Sequence, residues 1–116
     1  MDKPYDLEER TYEFARDTRK FTKQLKRTIE NVEDIKQVVR SSGSVAANYI
    51  EANEALSPKD FLHRIKICRK ESKESRLWLR LLDTHQVDNL EKQRANLMQE
   101  STELMNIFGA IIRKRE

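Results

Sequence analysis

An all-α fold, an antiparallel up-down-up-down four-helix bundle, is what this sequence predicts, and three observations predict it. Apolar residues recur at alternating steps of three and four along four separate stretches. Only two Gly and two Pro interrupt 116 residues, too few for a strand-and-turn architecture. Helix-starting residues fall at short breaks between the stretches, and short connections make consecutive helices antiparallel. One domain covering 1–116 is expected, with helices near 7–27, 31–55, 58–82 and 89–113. Charged residues make up 37% and mean hydropathy is −0.86, yet the regular apolar spacing separates the chain from disordered sequences of similar polarity. At this length a folded chain buries roughly two-thirds of its surface, enough for one core.

The first helix should start at Asp6, with Glu9 completing a capping box. Leu7, Thr11, Phe14, Thr18, Phe21 and Leu25 form its seam, while Arg16, Arg19, Lys20, Lys23 and Arg27 lie opposite among acids. The second helix is expected from about Asn31, with Ile35, Val38, Val39, Ser42, Val45, Ala46, Tyr49 and Ala52 facing the core. A strip of Ser41, Ser44, Asn48 and Ala55 runs beside that face, and its polar groups need partners if buried. Gly43 costs about 1 kcal/mol relative to Ala inside a helix, which points to close packing there. Ser57-Pro58-Lys59-Asp60 is the sharpest boundary: a good N-cap, a proline suited to the first helical position, and an acid at the positive end of the dipole. After the third helix and a turn over 83–87, Asp88 and Glu91 should open the fourth. Its seam is Leu90, Arg94, Leu97, Ser101, Leu104, Phe108 and Ile111, flanked by Met98, Met105 and Ile112.

The third helix separates its chemistry by face. At 100° per residue, Lys59, Lys66, Arg69, Lys70, Lys73, Arg76 and Arg80 share an arc of roughly 120°. Phe61, Ile65, Cys68, Ser72, Ser75 and Leu79 occupy the opposite arc. From Lys59 to Arg80 there are eight Lys or Arg against Asp60, Glu71 and Glu74, leaving +5 there and −2 elsewhere in a chain of net +3. A row of this kind suits a polyanion, above all RNA or DNA, although a solvated face is the plainer alternative. Few exposed aromatics accompany the cations, so weak base stacking and weak sequence discrimination are expected.

Other chemistries find little support. Cys68 is the single cysteine, on the apolar arc, so it reads as a small core residue, with no intrachain disulfide or cysteine-based zinc site. A di-metal carboxylate bundle needs Glu-x-x-His, and neither His63 nor His85 follows a Glu by three. Glu51, Glu71 and Glu74 are better used in pairing with Arg40, Arg64 or Arg76. Ser41, Ser42 and Ser44 lack an adjacent base, and Gly43 and Gly109 are isolated rather than a phosphate loop. No metal, no cofactor and no enzymatic activity are expected. No segment approaches membrane-spanning length, and a soluble cytoplasmic protein is the expectation.

The run from Arg40 to Ala52 (RSSGSVAANYIEA) and the run from Arg64 to Leu79 (RIKICRKESKESRLWL) closely resemble the small bacterial four-helix-bundle proteins encoded in intervening sequences of 23S ribosomal RNA genes. The similarity extends from Asp6 to about Ile112. The accessory variability determinant of diversity-generating retroelements is a more distant analogue. The resemblance implies a homopentameric ring and a nucleic-acid-associated role, with a reverse transcriptase as a conceivable protein partner. Ile67, Glu71, Glu74, Trp78 and Leu81 share a third sector of the third helix, an apolar strip beside carboxylates suited to an interface between copies, with Trp78 capping the bundle's own core as the plainer alternative. Two functions of different class therefore stand: a nonspecific nucleic-acid-binding protein, or an adaptor docking an acidic protein such as a reverse transcriptase or a ribosome-associated factor.

Overall fold

A computed structural model describes residues 6–115; residues 1–5 and 116, which the expected domain includes, lie outside the described residues. Its helices are α1 (Leu7–Thr22), α2 (Ile29–Asn53), α3 (Pro58–Leu81) and α4 (Asp88–Arg115). Each packs on the next and α4 returns to α1, closing an antiparallel four-helix bundle. Side chains fix that register. Asn53 Nδ2 donates to Glu8 Oε2 (3.1 Å) at one end of the α1–α2 pair, and Arg19 Nη2 donates to the Val39 carbonyl (3.2 Å) toward the other. Across the α4–α1 edge, Arg10 is bidentate to Glu100 (2.7 and 2.8 Å) and also donates to Glu103 (2.7 Å).

Every residue of the α1 seam is buried, including Leu25 at 5% exposure. The helix nevertheless ends at Thr22, five residues before the expected 27. The chain tightens there through i→i+3 bonds from Gln24 and Leu25, and the Arg27 guanidinium donates to the carbonyls of Thr22 and Leu25 (3.0 and 3.1 Å). Leu25 thus reaches the core from a turn.

Helix α2 starts two residues earlier than the sequence suggested, because Thr28 is the N-cap: its hydroxyl accepts from Asn31 N–H (3.1 Å). Asn31 has a different task. Fully buried, its Nδ2 donates to the carbonyls of Lys26 and Asp83, and its Oδ1 accepts from Asp83 N–H (2.9 Å). One amide therefore pins the α1–α2 connection to the α3–α4 turn, satisfying three backbone groups that the chain reversals leave unpaired.

The cap of α3 forms as expected, with Ser57 Oγ accepting from Asp60 N–H (3.1 Å) and Pro58 opening the helix. Helix α4 begins at Asp88 and runs to Arg115, longer than expected. Glu91 does not turn back to a capping box; its carboxylate accepts from Thr84 and Arg94. Arg94, placed by its spacing in the α4 seam, in turn donates to the carbonyls of Leu82 and Arg80, closing the end of α3. His85 and Gln86 take positive φ (55° and 61°) in this turn, where Asp83 Oδ1 accepts from His85 N–H (2.7 Å).

The core is built by Phe14, Phe21, Val38, Val45, Ile65, Leu79, Leu82, Leu104 and Phe108, all under 2% exposed or nearly so. The small polar strip of α2 finds its partners on α3. Ser41 and Ser75 hydroxyls bond each other at 2.8 Å in the interior, and Ser44 Oγ donates to Glu71. Small side chains at this seam let the two helices approach, and the hydroxyls satisfy one another across it.

Candidate nucleic-acid interface

Helix α3 buries Ile65, Cys68, Ser72, Ser75 and Leu79 and leaves Lys59, Lys66, Arg69, Lys70, Lys73, Arg76 and Arg80 exposed. The separation of faces expected from the spacing is thus present. Lys59 to Arg80 spans about 32 Å of helix at 1.5 Å per residue.

Acids are drawn off this surface on both sides. Glu71, 6% exposed, faces α2, where Arg40 Nη1 and Nη2 donate to it at 3.2 and 3.3 Å. Glu74 lies 3.6 Å from the same guanidinium, and Glu51 lies 3.9 Å from Arg64. These are the carboxylate–arginine pairings that the sequence pointed to. On α4, Glu100 and Glu103 turn toward α1 and are held by Arg10. The groove between α3 and α4 is consequently dominated by cations.

The antiparallel register adds positive charge that the pattern of α3 alone does not show. The C-terminal turns of α4 lie beside the N-terminal half of α3. There Arg69 and Arg113 both pass over Gly109: a Cβ at that glycine would lie 3.6 Å from Arg69 Nε and 3.4 Å from Arg113 Nη1. Arg115 stacks on Phe61 with its guanidinium carbon 4.6 Å from the ring centroid. Further along, Arg76 Nε donates to Thr102 Oγ1 (2.9 Å), laying that side chain across onto α4. Lys73, Glu74, Arg76, Leu77, Arg80, Thr102 and Met105 line a groove of about 480 Å³. The signal that could have revealed the α4 contribution is the short turn: antiparallel pairing places Arg113 and Arg115 near Arg69 and Phe61.

In the third sector of α3, Ile67 and Trp78 are half-buried and Leu81 is 54% exposed. Trp78 packs against the core, and its buried Nε1–H has no acceptor among the described residues. Glu74 is half-buried, whereas Glu71, expected in an interface between copies, is enclosed against α2 of the same chain.

Cys68 is fully buried, its Sγ 3.6 Å from the Val45 carbonyl, and burial pushes its thiol up to about 12. His63 and His85 lie at the surface on different elements. Among the described residues no group of three His, Cys, Asp or Glu could hold a metal ion, and no helix is long and apolar enough to cross a membrane.

A bundle with one basic two-helix surface is the class of molecule that these features define. Residues 4–110 match the model of the 23S rRNA-intervening sequence protein family, and the chain belongs to that family. It is similar to a solved protein of unknown function from the S23 ribosomal protein family of Bacteroides thetaiotaomicron, at 29% identity and a TM-score of 0.75, over 90% of this chain and 96% of that one. No curated protein matches the chain.

Proposed function

We propose that this protein is a non-enzymatic, cytoplasmic nucleic-acid-binding protein that contacts phosphates through the basic face of α3 and works as a homo-oligomer. The observation that carries this is the segregation of charge: seven exposed cations on one helix, with the nearby carboxylates turned away to Arg40 and Arg10. An exposed row in which cations outnumber acids raises the local potential and attracts a polyanion at long range. Phosphate contacts of this kind carry no sequence information, so binding is largely nonspecific. Membership of a family named for an insertion in a ribosomal RNA gene is in keeping with an RNA partner.

The oligomer would form through the third sector of α3, where Trp78, Ile67 and Leu81 lie on the other side of the helix axis from Arg76. By the resemblance described above it would be a pentamer, which would repeat the basic face around a ring. Aromatic and aliphatic side chains at this density suit a protein contact.

Fluorescence anisotropy of labelled RNA and DNA, titrated from low to physiological salt, tests the binding. Affinity should fall linearly on a log–log plot, with a slope of about −0.7 per phosphate contacted on a single strand. Replacing Lys66, Lys70 and Lys73 together by Glu should abolish binding while circular dichroism stays unchanged. Undiminished affinity in that variant would overturn the assignment, and absence of binding by the parent at low salt would leave the row as a docking face for an acidic protein.

A further inference from the structure

We propose that the groove between α3 and α4 around Leu77 and Met105 is a subsite for unpaired bases, so that the basic face prefers single-stranded over duplex nucleic acid. This rests on the nucleic-acid reading above and adds the form of the ligand.

Leu77 falls in the middle of the cationic arc of α3 and is 47% exposed. Lys73 and Arg80 flank it at helical steps of four and three, Arg76 precedes it in the chain and lines the same groove, and Met105 of α4 completes an apolar floor with it. Arg76 is anchored to Thr102, which holds its guanidinium at the edge of the groove. Glu74 also lines the groove, but its carboxylate lies 3.6 Å from the Arg40 guanidinium. The result is an apolar floor with a cationic rim.

A duplex has little use for such a floor. Its phosphates would meet the rim, but its base faces are stacked inside and the floor would meet only sugar and water. A single strand offers both parts of the complement: phosphates for Lys73, Arg76 and Arg80, and splayed bases whose apolar faces can cover Leu77 and Met105. Lys73 to Arg80 extends about 10 Å along the helix, room for a short run of nucleotides. A flexible thioether and a leucine accept any base, in keeping with weak sequence preference.

Binding of labelled poly(U), poly(dT) and a poly(A)·poly(U) duplex would be compared for the parent, for Leu77→Ala with Met105→Ala, and for Lys73→Glu with Arg80→Glu. The expected result is tighter binding of both single strands than of the duplex. The alanine pair, which removes apolar surface that a base would cover, should lose about tenfold on the single strands and little on the duplex. The glutamate pair should lose affinity for all three. Equal affinity of the parent for single strands and duplex, or an alanine pair that binds poly(U) as the parent does, would overturn the groove subsite and leave phosphate binding standing. Failure of the parent to bind any of the three would instead remove the nucleic-acid reading itself. Comparison of poly(U) with poly(dT) distinguishes RNA from DNA as the source of the strand.

Discussion

The Arg19 guanidinium lies against the backbone of α2 at Gly43, so close that a Cβ on that glycine would stand 3.1 Å from Nη2. Arg19 holds the position by donating to Ala15 O (3.1 Å) and Val39 O (3.2 Å). The glycine in mid-helix is thus explained by an arginine side chain crossing it. Gly43→Ala should be nearly neutral: the helix gains about 1 kcal/mol in propensity and loses a comparable amount as Arg19 gives up its bond to Val39. In an Arg19→Ala background the same substitution should stabilise by the full amount of about 1 kcal/mol. Urea denaturation of the four proteins of this cycle measures the coupling, and additive effects would show that the close approach has no energetic consequence.

Periodicity located the buried seams well and the helix ends poorly, and the reason is physical. Leu25 keeps the spacing of the α1 seam and is buried, but the helix has already stopped at Thr22, where Gln24 and Leu25 bond back at i→i+3 and Arg27 donates to the Thr22 carbonyl. Asn31 reads as a helix start, yet its side chain belongs to the α3–α4 turn, 52 residues away in sequence. Such bonds depend on register between distant segments, which no local window contains. The same holds for the interface. The cations of α3 are legible from their spacing, whereas the share of Arg113 and Arg115 depends on how α4 docks.

Acid should loosen the α3–α4 turn through Glu91. Hydrogen bonds from Arg94 first, then from Thr84, hold its carboxyl below the usual carboxylate range. A folded-state pKa lowered below the unfolded one contributes stability above the unfolded value and loses it as pH falls through the folded value. The loss should therefore appear below about pH 4.3. Melting temperatures of the parent and Glu91→Gln should differ at neutral pH and converge in acid. A constant difference across the range would mean that the knot does not depend on the charge.

Cys68 should be inert in the native protein. It is fully buried and its thiol is pushed up to about 12, so almost no thiolate exists at neutral pH and none is accessible. A disulfide reagent should label it only as the chain opens, with the labelling rate rising through the urea transition followed by circular dichroism. Labelling in water at the rate of the denatured chain would show that the core around Val45 opens readily.

The buried hydroxyl pair of Ser41 and Ser75 makes a sharper test of the α2–α3 seam. Ser41→Ala leaves Ser75 without its partner in the interior and should cost about 1–3 kcal/mol, whereas removing both hydroxyls should cost less than the single change. Equal or additive costs in denaturant titrations would argue that water or a neighbouring carbonyl replaces the lost partner.

Arg40 and Glu71 set the balance between fold and function on α3. Glu71 is enclosed, with a side chain 8% exposed, while Arg40 is 53% exposed, so the two ends of the pair experience different dielectrics. Replacing Arg40 by Met strands a buried carboxylate whose remaining donor among the described residues is Ser44. The cost should be about 2 kcal/mol, less than for a fully buried pair because water reaches one side. Changing Glu71 to Gln keeps a hydrogen-bonding group opposite Arg40 and should cost less than Arg40→Met. The two substitutions should also move nucleic-acid affinity in opposite directions. Arg40→Met leaves Glu71 and Glu74 unneutralised beside the basic row and should weaken binding. Glu71→Gln removes a negative charge from the same helix and should strengthen it. Thermal melts and anisotropy titrations on both variants separate the two effects, and a shift of affinity in the same direction for both would show that the pair acts on binding only through stability.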